Sequence, residues 1–174
     1  MNRGRPGPAA DPSAPYVRLA VVGLIRRGDG LFGGAHAAIR AGEAGGAAWL
    51  LLHRKEPVDA WDPPGGRMEE GEDLTSAVLR EVAEETGLTV RVAGPCYSLL
   101  TMYKGERLLA VSVACRPVGD PDRVRLEPGG AVEWCWVSTA EWEELAASGR
   151  STWNARDVRR ATRMATVLWE MEDE

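Results

Sequence analysis

Residues 66–88, GRMEEGEDLTSAVLREVAEETGL, form the stretch of this 174-residue chain that decides its fold. After a glycine-containing turn, we predict a helix over Leu74–Thr86. Glu72 and Asp73 precede this helix, where the positive end of the helix dipole favours negative charge. Gly87 follows the last turn, at a position where glycine commonly ends helices. The stretch therefore predicts a turn that leads directly into a short helix.

Three glutamates crowd one face of this predicted helix. Glu81 and Glu85 are four residues apart, and Glu84 is three residues after Glu81. Like charges at such spacings destabilise an isolated helix by about 0.2–0.5 kcal/mol per pair. Arg80, four residues before Glu84, relieves the cluster in part. A bound hard cation such as Mg²⁺, which takes carboxylate oxygens as ligands, explains the remaining charge better than a solvated acidic face does.

A glycine pair precedes the helix and adds a second element. Residues 62–66, DPPGG, predict a sharp turn without regular structure. Gly65 and Gly66 allow the backbone to approach a ligand closely, and a glycine carbonyl can serve as a further oxygen ligand. Carboxylates that face a glycine turn, with metal ions between them, can polarise a phosphoryl group and activate water. The two elements together outline hydrolysis of a pyrophosphate bond.

The flanking sequence predicts strands on both sides of the helix. Apolar and β-branched runs indicate strands over residues 16–25, 47–54, 88–102, 107–116 and 131–137. Two more helices are expected over residues 140–147 and from Asn154 to about Trp169. The order of elements indicates an α/β or α+β sandwich with a mixed sheet. We expect one domain over residues 16–174, a disordered arm over residues 1–15, and a long Gly/Ala-rich loop over residues 26–46.

Residues 66–88 resemble the Nudix box, G-x5-E-x7-R-E-U-x-E-E-x-G-U, in which U is an aliphatic residue. Every defined position matches, namely Gly66, Glu72, Arg80, Glu81, Val82, Glu84, Glu85, Gly87 and Leu88. The preceding residues 61–65, WDPPG, also resemble the family's usual approach to the box. This resemblance implies a Nudix-type α/β/α sandwich with a mixed sheet and a catalytic loop–helix unit.

The same resemblance implies roles for the box residues in a reaction that uses Mg²⁺ or Mn²⁺. Glu81 is expected to be a metal ligand and the base that activates water. Glu84, Glu85 and the Gly65 carbonyl are expected to be further metal ligands, and Arg80 is expected to orient the carboxylates. The geometry of the loop and helix is expected to depend on Gly66, Glu72 and Gly87.

A further acidic residue after the box often completes such sites, and two candidates remain open. Glu133 opens the run EWCWV at residues 133–137, which resembles the family's late E-x-x-W-V strand. Glu127 stands beside a Pro-Gly-Gly turn, from which a carboxylate could swing towards a substrate. We favour Glu133, because rigid elements position ligands better than loops do.

Three residues outside the box are candidates for substrate binding. Arg54 ends a predicted strand and Lys55 follows it, before the glycine turn, and the guanidinium fork of Arg54 matches phosphate oxygens. Tyr103 lies in the region after the box and could stack on a base, although a half-buried strand aromatic is the simpler interpretation.

The resemblance implies a pyrophosphohydrolase that acts on a nucleoside diphosphate linked to another moiety. We expect a nucleoside or deoxynucleoside triphosphate as the lead substrate. Alternatives are a nucleoside diphosphate sugar such as ADP-ribose, a dinucleoside polyphosphate, or the 5′ end of RNA. A non-catalytic Nudix-fold sensor is an alternative of a different class, but such proteins usually lose box glutamates that this chain retains.

The amino-acid composition of the chain limits the kinds of partner that it can bind. Lys and Arg number 21 against 26 Asp and Glu, so the formal net charge is −5. This balance argues against a duplex nucleic-acid binder, whose affinity would depend on a basic surface. Three cysteines without a CxxC pair argue against a disulfide scaffold. With no apolar signal segment at residues 1–15, we expect a cytoplasmic protein with no membrane partner, and the sequence leaves a homodimer open.

Overall fold

A computed structural model describes residues 17–27, 48–103 and 105–172, with the side chains of Tyr103 and Glu172 left out. The predicted arm at residues 1–15 lies outside the described residues. The same holds for residues 28–46 of the predicted Gly/Ala-rich loop.

The described strands form one mixed, seven-stranded sheet. Its main path runs β3-β2-β1-β6-β5, while β4 pairs with β1 and β7 pairs with β2. β1 and β6 run parallel, whereas β1 and β2 run antiparallel. The strands are β1 (Arg18–Arg27), β2 (Ala48–Arg54), β3 (Ala60–Asp62), β4 (Gly65–Arg67), β5 (Val90–Tyr103), β6 (Glu106–Pro117) and β7 (Glu133–Val137).

Three helices complete the described fold: α1 (Leu74–Thr86), α2 (Thr139–Ala147) and α3 (Ala155–Glu172). The bounds of α1 agree with the prediction. Asp73 caps its first turn by accepting a hydrogen bond from the Ser76 amide at 2.7 Å. Gly87 ends it in a left-handed conformation with φ of 66°. In the described residues, no helix is both long and apolar enough to cross a membrane.

The helices cover opposite faces of the sheet, so the predicted sandwich is confirmed. Strand β2 illustrates this arrangement, because it is buried on both faces of the sheet. Leu50 and Leu52 pack with α1 in one core. Trp49 and Leu51 pack with α2 and α3 in the other.

The structure corrects the prediction for residues 62–66. Asp62 ends β3, and Gly65 opens β4, so the expected irregular turn is confined to the two prolines between them. Gly65 pairs with Val22 and Gly66 pairs with Val21. A Cβ atom at Gly65 would lie 2.3 Å from the Val21 carbonyl oxygen. Only glycine allows this close approach. Gly65 and Gly66 therefore pair with β1 as part of a strand, where the sequence predicted a turn.

The cysteines lie in strands, as expected. Cys96, Cys115 and Cys135 are free thiols of β5, β6 and β7. Burial raises the pKa of each thiol to about 12. At neutral pH they therefore behave as small apolar residues rather than as nucleophiles.

Asp62 anchors the end of β3 to the connection between α2 and α3. Its Oδ1 accepts hydrogen bonds from the Ser151 hydroxyl at 2.7 Å and from the Thr152 amide at 3.0 Å. Its Oδ2 accepts a third from the Thr152 hydroxyl at 2.7 Å. Beside it, the Trp61 amide donates to the Arg150 carbonyl at 2.8 Å. The segment that leads into β4 is thus held in place by the connection between α2 and α3.

Replacing Asp62 by alanine is expected to lower the free energy of unfolding by about 1–3 kcal/mol, because three donors lose a charged acceptor. Thr152→Val removes one of these donors with little change of shape and is expected to cost less. Urea unfolding monitored by tryptophan fluorescence measures both. An Asp62→Ala protein as stable as wild type would show that the anchor contributes nothing.

Candidate active site

Glu81 is held against β4 (Gly65–Arg67), which we call the glycine strand. A Cβ atom at Gly66 would lie 2.5 Å from either carboxylate oxygen of Glu81, so only glycine leaves room for this side chain. The Glu81 side chain is only 12% exposed. Burial raises the pKa of this carboxyl, although the neighbouring Arg80 guanidinium opposes the shift. A desolvated carboxylate of this kind is a better proton acceptor than an exposed one.

Arg80 binds three glutamates at once. Its Nε and Nη2 donate to the two carboxylate oxygens of Glu72 at 2.7 and 2.9 Å. Its Nη1 donates to Glu81 at 2.8 Å and to Glu84 at 3.2 Å. Its Nη2 also donates to the Arg67 carbonyl of β4 at 3.1 Å. The guanidinium thereby links Glu72 and two acids of α1 to the backbone of β4.

Glu85 has a partner on each of its carboxylate oxygens. Arg54, the last residue of β2, donates from Nη2 to Oε1 at 2.5 Å. The Gly65 amide donates to Oε2 at 2.8 Å. The structure therefore brings Arg54, expected to bind phosphate, to one of the expected metal ligands.

Among the described residues, no group of three or more Asp, Glu, His or Cys side chains already converges on a metal position. Arg80 contacts Glu81 and Glu84, whereas Arg54 contacts Glu85. The donor chemistry nevertheless suits a hard divalent cation, since it consists of carboxylates next to a glycine backbone. A cation that bound Glu85 at Oε1 would have to compete with Arg54.

Glu133, the favoured candidate for the distal carboxylate, lies on the face of the sheet opposite α1. Glu133 pairs with His53 in the β2–β7 ladder, and its Oε2 lies 3.7 Å from His53 Nδ1. The His53 ring in turn stacks on Trp61, which belongs to the core on the α2–α3 side. Arg54 follows His53 and reaches Glu85 on the other face, because successive side chains of a strand alternate. Glu133 therefore faces away from the acids of α1.

Glu127 lies in a segment on the same side of the sheet as α1. The Arg125 amide donates to the Thr86 carbonyl at the end of α1 at 2.8 Å. Val124 and Leu126 pack against the core that α1 covers. Glu127 itself is exposed. The segment of Glu127 therefore lies on the α1 side of the sheet, whereas Glu133 lies on the opposite side.

The structure places the other two candidate substrate contacts at strand ends. Lys55 is exposed directly after β2. Tyr103 ends β5 opposite Glu106, whose carboxylate accepts a hydrogen bond from Arg67 at 2.7 Å. The backbone of Tyr103 is thus near the end of the glycine strand, but its side chain lies outside the described residues.

Sequence reasoning missed the group around His53. His53 Nε2 lies 2.6 Å from Asp59 Oδ1, and the ring stacks on Trp61 with centroids 4.6 Å apart. The available signal was the alternation of β2, which places His53 and Arg54 on opposite faces.

The family model described as the NUDIX domain matches residues 33–156. The RNA pyrophosphohydrolase of Caulobacter vibrioides is 34% identical over 118 residues, which cover 58% of this chain and 69% of that protein. The asymmetrical bis(5′-nucleosyl)-tetraphosphatase of Caenorhabditis elegans is 30% identical over 106 residues, which cover 59% of this chain and 76% of that protein. The crystal structure of a C. elegans Ap4A hydrolase binary complex matches with a TM-score of 0.64 at 22% identity, covering 84% of this chain and 96% of that one. This structural likeness concerns the fold alone.

Glu72 is expected to make stability depend on acid pH. Hydrogen bonds from Arg80 lower the pKa of Glu72 to about 2, below the ordinary value near 4.5. A depressed carboxyl pKa contributes stability above the unfolded-state value, and that contribution is lost as pH falls towards the folded value. The stability difference between wild type and Glu72→Gln should therefore shrink between about pH 4.5 and pH 2. Chemical denaturation at several pH values measures it, and a constant difference would contradict the assigned contact.

Proposed function

Because the chain belongs to the Nudix family and hydrolyses pyrophosphate bonds, we propose that its substrate is a nucleotide with three or more phosphates and its cofactor Mg²⁺ or Mn²⁺. Glu81 carries the proposal. It is a desolvated carboxylate fixed against a glycine strand, and two further glutamates lie within one turn of the same helix.

The metal would be held by carboxylate oxygens of Glu81, Glu84 and Glu85, with the Gly65 carbonyl as a further ligand. When bound, such a cation supplies charge neutralisation at the phosphates and polarises the phosphoryl group. The donor set supports this assignment, because hard cations prefer oxygen ligands and Mg²⁺ usually retains waters and substrate phosphates as its other ligands.

The chain's own residues then divide the remaining tasks. Glu81, which is held beside Gly66 of β4, accepts the proton of the attacking water. Arg80 holds the Glu81 and Glu84 carboxylates in place through Nη1. Arg54 binds phosphate oxygens with its planar fork, and the neighbouring Lys55 adds positive charge. We assign Tyr103 to the nucleoside end of the substrate.

The two curated relatives support a polyphosphate substrate. One is named for RNA and the other for a bis(5′-nucleosyl) tetraphosphate. Dinucleoside polyphosphates and 5′-triphosphorylated RNA therefore join nucleoside triphosphates in the proposed class, ahead of nucleoside diphosphate sugars.

A substrate panel tests the proposal. Wild-type protein with Mg²⁺ or Mn²⁺ is expected to release phosphate, pyrophosphate or a nucleotide from at least one of a nucleoside triphosphate, a dinucleoside tetraphosphate and 5′-triphosphorylated RNA. ADP-ribose serves as the competing class. Glu81→Gln is expected to lower kcat about 10²- to 10⁴-fold, the usual contribution of a general base, while circular dichroism stays unchanged. Turnover of ADP-ribose alone, or full activity in Glu81→Gln, would contradict the proposal.

The distal carboxylate is tested by a matched pair of variants. Glu127→Gln is expected to lower kcat about 10-fold or more, because its segment lies on the α1 side of the sheet. Glu133→Gln makes the same charge change on the opposite face and is expected to leave kcat within about twofold of wild type. Steady-state kinetics at saturating Mg²⁺ compares them. The reverse order of effects would return the role to Glu133.

A further inference from the structure

The Arg54–Glu85 pair joins two residues with opposite expected partners. Glu85 is expected to bind a cation, and Arg54 is expected to bind phosphate. In the structure each instead binds the other at 2.5 Å, with side chains only 24% and 19% exposed. The guanidinium thus stands at the Glu85 oxygen that faces β2, where its charge opposes the approach of a divalent cation.

The two arginines of the site are held very differently. Arg80 uses all three of its nitrogens, on three glutamates and on the carbonyl of β4. This distribution fixes its guanidinium. Arg54 reaches Glu85 through Nη2 from the end of a buried strand, so its backbone is fixed while its long side chain can reorient around it. Arg54 is therefore the cation that a metal can displace from the acids.

We propose that Arg54 is an exchangeable counter-cation, which occupies Glu85 in the metal-free enzyme and turns to the substrate's phosphates when a divalent cation takes Glu85. This inference rests on the proposed function, since it requires Glu85 to be a metal ligand. Before metal binds, the ion pair compensates the charge of Glu85 next to two other carboxylates. After exchange, the released fork is placed beside the site where phosphates arrive.

The exchange couples metal and substrate. A phosphate that holds Arg54 removes the competitor from Glu85, and a metal on Glu85 frees Arg54 for phosphate. Each ligand therefore increases the affinity for the other by the same factor. The site would then admit its metal most readily together with a substrate.

Arg54→Gln tests the exchange through metal binding in the free protein, without any turnover. Mn²⁺ alone is titrated and followed by electron paramagnetic resonance. The midpoint is expected to fall about 3- to 10-fold, because the competing cation is gone. KM at saturating Mg²⁺ should rise, because phosphate loses the fork. Opposite signs in these two measurements distinguish exchange from a general loss of structure.

Two further variants act as controls. Arg67→Gln removes the same charge from the last residue of the glycine strand, where Arg67 pairs with Glu106 rather than with α1 acids, and should change the Mn²⁺ midpoint less than about twofold. Arg54→Lys keeps a competing cation but loses the fork, so its midpoint should stay near wild type while KM rises. Thermal unfolding establishes that each variant is folded.

The outcomes separate this inference from the proposed function. Equal tightening in Arg67→Gln and Arg54→Gln would assign the effect to overall charge and overturn the exchange. Unchanged or weaker Mn²⁺ binding in Arg54→Gln, in an enzyme that hydrolyses nucleotides, would overturn the exchange alone. Wild type that neither binds Mn²⁺ nor hydrolyses any nucleotide of the panel would overturn the proposed function and the exchange with it.

Discussion

Mutual repulsion among three carboxylates on about one turn of α1 is the constraint on which the rest of the site depends. Such a cluster is unfavourable for an isolated helix, so each acid must be compensated by its surroundings. Glu81 and Glu84 are compensated by Arg80, whereas Glu85 is compensated by Arg54 and the Gly65 amide. The compensating groups come from α1 itself, the end of β2 and the start of β4. Repulsion between carboxylates on α1 is thus offset by hydrogen-bond donors that neighbouring elements supply.

Close packing between α1 and the sheet makes this compensation geometrically defined. A Cβ atom at Gly23 would lie 2.8 Å from Val82 Cγ2, and one at Gly66 would lie 2.5 Å from the Glu81 carboxylate. Glycines on β1 and β4 therefore let the helix approach until its acids touch the backbone. Asp62 holds the entrance to β4 from the opposite side, through Ser151 and Thr152. The glycine strand is consequently confined between the helix and this anchor.

Strand β2 distributes chemistry between the two faces of the sheet. Arg54 reaches the acids of α1, whereas His53 stacks on Trp61 and approaches Glu133 on the other face. A shift of pairing by one residue would exchange these partners, because side chains alternate along a strand. The register of β2 therefore decides which of its side chains lie on the α1 face of the sheet, and proximity in sequence does not.

The sequence by itself determined helix α1, its bounds at Leu74–Thr86, and the crowding of Glu81, Glu84 and Glu85. These features depend on residues within a few positions of one another, for which helical spacing is sufficient. The sequence also predicted strands around the helix and therefore the sandwich.

Only the tertiary structure decided that Gly65 belongs to a strand, that Arg54 binds Glu85, and that Glu133 faces away from α1. Each of these facts is a pairing between elements distant in the chain. The packing of the whole core sets the register of each strand and the face on which each side chain lies. No local sequence pattern encodes either of them.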